Sequence, residues 1–180
     1  MPQSFDLNCN HFELFGVAPA FNLDLAALER AYRELQAQVH PDRFAHLPAA
    51  EQRAAMQWST HVNGAYQALK SPLERAKYMI ILAGGETGGR QSAELTPEFL
   101  AEQMEWREAV ETARERGDAG ALSTLDRDTL AATATLHAEL GQTLDVERDH
   151  DAARAILFRL MFLDKLHRDI GDAVEAIATT

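Results

Sequence analysis

Apolar residues return along this chain at intervals of three and four, and strict alternation persists nowhere, so the pattern predicts helices and no sheet. The first stripe is Leu25, Leu28, Tyr32, Leu35 and Val39. Asp24 stands in front of it as an N-cap. Pro41 ends it, because proline disfavours helical geometry in the residue before it. A second stripe runs through Ala55, Ser59, Val62, Tyr66 and Leu69. Two antiparallel helices joined by a short loop would bury these stripes against each other. Ser71-Pro72-Leu73-Glu74 then combines a cap, a proline at the first helical position and a glutamate at the third, which predicts a short helix to about Leu82. The segment GGETGGRQSAEL has no apolar period. It is expected to be a linker over 84–95, between one domain over 1–83 and another over 96–180.

The second half opens on Thr96-Pro97-Glu98, again a cap followed by proline. Three helices are expected, over roughly 97–116, 118–145 and 148–177, with Gly117-Asp118 as the stop and restart between the first two. The middle one carries Leu122, Leu125, Thr129, Ala132, Leu136 and Leu140. Short turns between three such helices predict a compact bundle, so the expected fold class is all-α throughout. At about 100° per residue, Phe99, Gln103, Trp106, Val110 and Ala113 share one side of the first of these helices, assigned to the core. Leu100, Ala101, Met104, Glu105 and Glu108 fall on another. In the last helix Ile156, Leu160, Leu163, Ile170 and Val174 form the expected core stripe, while Phe158, Met161 and Phe162 point elsewhere. Helices of a three-helix bundle can bury more than one stripe, so any one of these residues could be core, but as a set large apolar residues off the core stripe point to a surface that meets a partner.

Composition narrows the classes. Of 180 residues, 46% are apolar, enough for a real core. Acidic residues outnumber basic ones 28 to 17, for a net charge of −11, which argues against a nonspecific grip on nucleic acid or an anionic membrane. A single cysteine, Cys9, makes no internal disulfide and fits a reducing compartment. The start, MPQSFDLNCN, has no basic segment followed by an apolar run, and no apolar run reaches the length of a membrane span. The expected location is the cytoplasm.

One short stretch stands out chemically: QVHPDRF at 38–44. His40 falls in the last turn of a helix, where the helix dipole favours a donating or positive side chain. Pro41 stiffens the turn, and Asp42 can offer a carboxylate to a partner's arginine. An isolated His-Pro-Asp could be an ordinary turn. Here it sits between an amphipathic helix and a second one ending VNGAYQAL, with HFELFGV before both. This order resembles the J-domain, the module that stimulates ATP hydrolysis by DnaK-class chaperones. The resemblance implies that His40, Pro41 and Asp42 deliver the stimulation. It also implies that the preceding helix, with Arg30 and Arg33 beside Glu29 and Glu34, touches the chaperone.

The chain lacks the Gly/Phe-rich tract and paired-cysteine modules of general J-proteins. SPLERAKYMI, FLAEQMEWREAVE and LMFLDKLHRDI resemble the HscB family of iron–sulfur cluster assembly instead, and the resemblance covers nearly the whole chain. It implies a J-domain acting on the chaperone HscA and a C-terminal domain binding the cluster scaffold IscU. Its scaffold-binding positions match Leu100, Met104, Glu105, Glu108 and Phe162, with Ala101 where a larger apolar residue is common. Cys9 alone cannot supply the zinc site of some eukaryotic members, and Cys9 with His11 is too few ligands for any metal site. The expectation is a co-chaperone with no cofactor and no catalysis of its own. Two rivals remain: a J-protein with another client, and a helical enzyme using Glu102, Glu105, Glu108 and histidines with a metal.

Overall fold

A computed structural model of the chain describes residues 9–39, 48–85, 87 and 96–179. His40, Pro41 and Asp42 lie outside the described residues, as does most of the expected linker. The elements are α1 (His11–Phe15), α2 (Leu25–Val39), α3 (Ala49–Lys70), α4 (Pro72–Leu82), α5 (Pro97–Glu115), α6 (Ala119–Gly141), a π-helical turn over Gln142–Glu147 and α7 (His150–Ala178). No strand occurs among the described residues. The contacts separate into two compact units, Met1–Met79 and Ile80–Thr180, so the division falls inside α4.

In the first unit α1, α2 and α3 each pack against the other two. Asp24 caps α2 as its sequence implies, its Oδ1 accepting from the N–H groups of Ala26 and Ala27. Asn10 and Glu13 form a reciprocal capping box on α1, and Gly16 closes that helix at φ 62°, a conformation that suits glycine. The core joins Phe12, Phe15 and Leu28 to Trp58, Val62, Ala65, Tyr66 and Leu69. Trp58 and Ala65 lie outside the single stripe expected for α3. They are buried because α3 serves two neighbours, α1 and α2. Leu25, expected in the α2 stripe, is exposed at the first position of its helix. Tyr32 stacks on Tyr66 with ring centroids 4.0 Å apart, and its hydroxyl donates to Asn63 Oδ1 at 3.0 Å.

Two side chains tie α4 to this core. Tyr78 stacks on the His11 ring at 4.0 Å, and its hydroxyl accepts the His11 backbone N–H at 2.9 Å. Burial, and after it the charge of His61, holds the His11 imidazole below its ordinary pKa. The guanidinium of Arg75, almost fully buried, donates to the Leu69 carbonyl at 2.6 Å and lies over the Phe21 ring. It thereby braces the α3–α4 turn, where Ser71 Oγ accepts the Glu74 N–H at 3.4 Å.

In the second unit α5, α6 and α7 each pack against the other two. The caps are those expected from sequence: Thr96 accepts from the Phe99 N–H at 3.2 Å and Asp118 from the Ala121 N–H at 2.9 Å. Gly117 between them turns at φ 64°. The α6 stripe buries Leu122, Thr129, Leu136 and Leu140. Its α-helical winding stops at Gly141, short of the expected 145. The wider π turn continues it and keeps Thr143 and Leu144 inside as well. In α7 the buried stripe is Ala153, Leu157, Leu160, Leu163, Leu166, Ile170 and Ala173, together with Phe162. The expected stripe is thus displaced: Val174 is 39% exposed and Ile156 only half-buried. Phe162, expected to point away from the core, belongs to it. A helix facing two neighbours buries a wider arc than one stripe describes.

Asp149 caps α7, its Oδ1 accepting from the N–H groups of Asp151 at 3.1 Å and Ala152 at 3.0 Å. Asp149→Ala should cost about 1 kcal/mol of stability in urea unfolding, while Asp149→Asn, which keeps an accepting oxygen, should lose only a fraction of that.

Candidate functional site

The winding of α5 places Leu100, Ala101, Met104, Glu105 and Glu108 on its outer face. Met104 is 71% exposed and Leu100 43%, and Ala101, Glu105 and Glu108 are exposed too. The opposite face buries Phe99, Val110 and Ala113 and half-buries Gln103 and Trp106. The outer face therefore carries two large apolar side chains among carboxylates, set on a helix anchored from behind. Met104 in particular contributes little to the bundle's own core.

The sixth expected patch residue does not join this surface. Phe162 is only 9% exposed. Its ring meets Phe99 edge to face, with centroids 6.1 Å apart and planes at 89°. The Arg107 guanidinium lies 5.6 Å from the Phe162 centroid and that of Arg159 lies 6.0 Å from the Phe99 centroid, within cation–π range. Phe158 and Met161 are half-buried rather than outward. For Phe162 the alternative of a second buried stripe holds, because α7 packs against both α5 and α6.

Charge around the face is mostly solvated. Glu102, one turn from Glu105, pairs with Arg159 of α7 at 3.5 Å across the helices. Both partners are nearly half exposed, so the pair positions side chains more than it stabilises the fold. Glu102 therefore turns toward α7 instead of converging with Glu105 and Glu108. Among the described residues no three His, Cys, Asp or Glu side chains gather as metal ligands would. Beside the Phe99–Phe162 contact, residues of α5, α6 and α7 line a half-open cleft of about 180 Å³. No sequence signal announces it, since three helices must meet to form it. In the first unit, Arg30 and Arg33 are both exposed on α2, and Arg33 pairs with Glu29 one turn away.

A sequence-family model described as the HSCB C-terminal oligomerisation domain matches residues 95–171. The "Co-chaperone protein HscB homolog" of Aromatoleum aromaticum is 47% identical over 98% of this chain and 99% of its own length. The chain belongs to the HscB co-chaperone family. The HscB homolog of Azoarcus sp. is 45% identical over 97% of this chain and 98% of its own. Among solved structures, the chaperone HscB from Vibrio cholerae superposes with a TM-score of 0.84 at 34% identity, covering 94% of this chain and 99% of that one. The human co-chaperone HscB gives a TM-score of 0.87 at 27% identity over 95% of this chain and 87% of that one. Its HscB membership gives the chain a J-type co-chaperone role in iron–sulfur cluster assembly. Among the described residues no helix is long and apolar enough to cross a membrane.

The contrast between Met104 and Phe162 is measurable without any partner. Met104→Ala should leave thermal unfolding within about 0.5 kcal/mol of the parent, as an exposed position does. Phe162→Ala should cost about 3–5 kcal/mol, as loss of a buried aromatic ring does.

Proposed function

We propose that this HscB chain joins two proteins: a DnaK-class chaperone, HscA, met through the first unit, and the cluster scaffold IscU, met through the second. In this reading the J-domain spans 1–83, a linker 84–95 and the scaffold-binding domain 96–180. His40, Pro41 and Asp42 form the stimulating tip, with Arg30 and Arg33 on α2 presenting positive charge to an acidic chaperone surface. Leu100, Ala101, Met104, Glu105 and Glu108 form the scaffold face, and Phe162 acts from beneath it by holding Phe99 and α5 in place. The observation that carries the scaffold half is the exposure of Met104 and Leu100 on a helix whose other side packs into the bundle through Phe99, Val110 and Ala113.

The mechanism needs no catalytic group in this chain. ATP hydrolysis belongs to the chaperone, and the iron–sulfur cluster is cargo carried by the scaffold. Holding client and chaperone on one chain raises the concentration each experiences of the other, so delivery becomes effectively intramolecular. An imidazole and a carboxylate flanking a proline in the sequence suit triggering, because both can enter charge-assisted hydrogen bonds with a partner. We place the protein in the cytoplasm, where a lone thiol stays reduced.

His40→Gln should abolish stimulation of the HscA ATPase in a steady-state phosphate-release assay while circular dichroism stays helical. Full stimulation by a folded His40→Gln protein would remove the J-domain function.

Reversing charge at both Arg30 and Arg33 should weaken productive binding to the chaperone, and the deficit should shrink as salt rises. A deficit independent of salt would mean that these side chains do not act through charge.

A further inference from the structure

Inside the first unit, away from both proposed partner surfaces, two histidine rings meet. We propose that the contact of His11 with His61 and Tyr78 is an acid-released clasp: protonation of the paired imidazoles frees α1 from α3 and α4, while the α2–α3 hairpin stays closed.

The clasp joins three elements. His11 opens α1, His61 lies in the middle of α3 and Tyr78 belongs to α4. The His11 and His61 rings meet at 5.8 Å with their planes at 74°. Trp58 meets His61 edge to face at 5.5 Å, and Tyr78 stacks on His11 at 4.0 Å. His11 Nδ1 and His61 Nε2 are both buried, and neither has a hydrogen-bond partner among the described residues. A neutral imidazole leaves one unpaired nitrogen in such a place. An imidazolium would bury a charge as well, with a donor that faces no acceptor.

Among the described residues no carboxylate pairs with either ring. Glu13, the acidic residue of α1, accepts the Asn10 N–H at 3.0 Å at the head of its own helix. Glu51, the acidic residue of α3, stands ten positions before His61, about 15 Å along the axis. On α4 Glu74 pairs with Lys77 at 2.7 Å, and Arg75 donates to the Leu69 carbonyl. On α2 Glu29 pairs with Arg33, while Arg30 and Glu34 are exposed. Cys9, two residues ahead of His11, adds a thiol but no carboxylate. The Tyr78 ring face favours a cation, but burial, and after it the charge of His61, outweighs it and holds the His11 imidazole below its ordinary pKa. The clasp is therefore at full strength above about pH 6.5, the ordinary value, and opens as pH falls through the lower value of the folded state.

α1 is where that opening shows. Five residues cannot persist as an isolated helix, so α1 exists through its docking. The hairpin is different: α2 carries no histidine, and Tyr32 ties it to α3 by stacking on Tyr66 and donating to Asn63. Acid thus produces a local opening rather than loss of the whole unit.

Hydrogen exchange on the full chain, followed by NMR from about pH 7.5 to 5.5, tests this. Protection of the Leu14, Gly16 and Val17 amides, which bond within and just after α1, should fall severalfold relative to the Val62 and Tyr66 amides of α3. His11→Phe keeps a stacking ring without a proton to gain, and should flatten that fall; His61→Phe should flatten it in part. Constant relative protection across the range, or a fall that persists in both variants, overturns the proposal. Should either variant unfold, the parent decides. NOEs between the His11 and Tyr78 rings are expected to vanish in step with His11 protonation, read from its Cε1–H shift. NOEs that survive once His11 is protonated overturn the clasp.

Discussion

Packing one helix against two others is the constraint on which the second unit depends. α7 must bury an arc that meets α5 on one side and α6 on the other, and its apolar residues occur too often for a single stripe. Leu160 and Leu163 serve the expected seam, while Phe162 between them turns its ring onto Phe99. That contact fixes the rotation of α5 about its own axis. Once Phe99, Val110 and Ala113 face inward, Met104 and Leu100 have nowhere to go but outward. The exposed face is thus a consequence of the buried one.

The first unit meets the same constraint with a different helix at its centre. α3 lies against both α1 and α2, so Trp58 and Ala65 join the stripe that faces α2. α1 is only one turn and a half long and could not hold itself in place. Its capping box, the glycine that ends it, and the Tyr78 hydroxyl and ring from α4 hold it there. Arg75 does the same for the loop before α2 through Phe21. α2, the helix that leads to His40 in the sequence, packs on this core through Leu28.

Such a division suits a co-chaperone. Each unit of this HscB protein buries its apolar residues in a core of its own. The acidic surplus of the chain sits mostly in solvated helix faces, where carboxylates such as Glu105 and Glu108 keep the apolar Met104 and Leu100 in water without covering them.

The sequence by itself determined the local facts: helices rather than strands, the caps at Asp24, Thr96 and Asp118, the stop at Gly117 and the outward side of α5. Each depends on residues within one or two turns, so spacing and cap chemistry suffice to read it. It also carried the family resemblance through the His-Pro-Asp stretch and the second-half segments. Tertiary structure alone decided which side of a helix counts as inside when two neighbours compete for it. It moved Phe162 into the core and Val174 out of it, turned the end of α6 into a π turn that buries Thr143 and Leu144, and brought Glu102 to Arg159 across 57 positions of chain. No periodicity within one helix encodes these outcomes, because each depends on the angle at which a second and a third helix arrive.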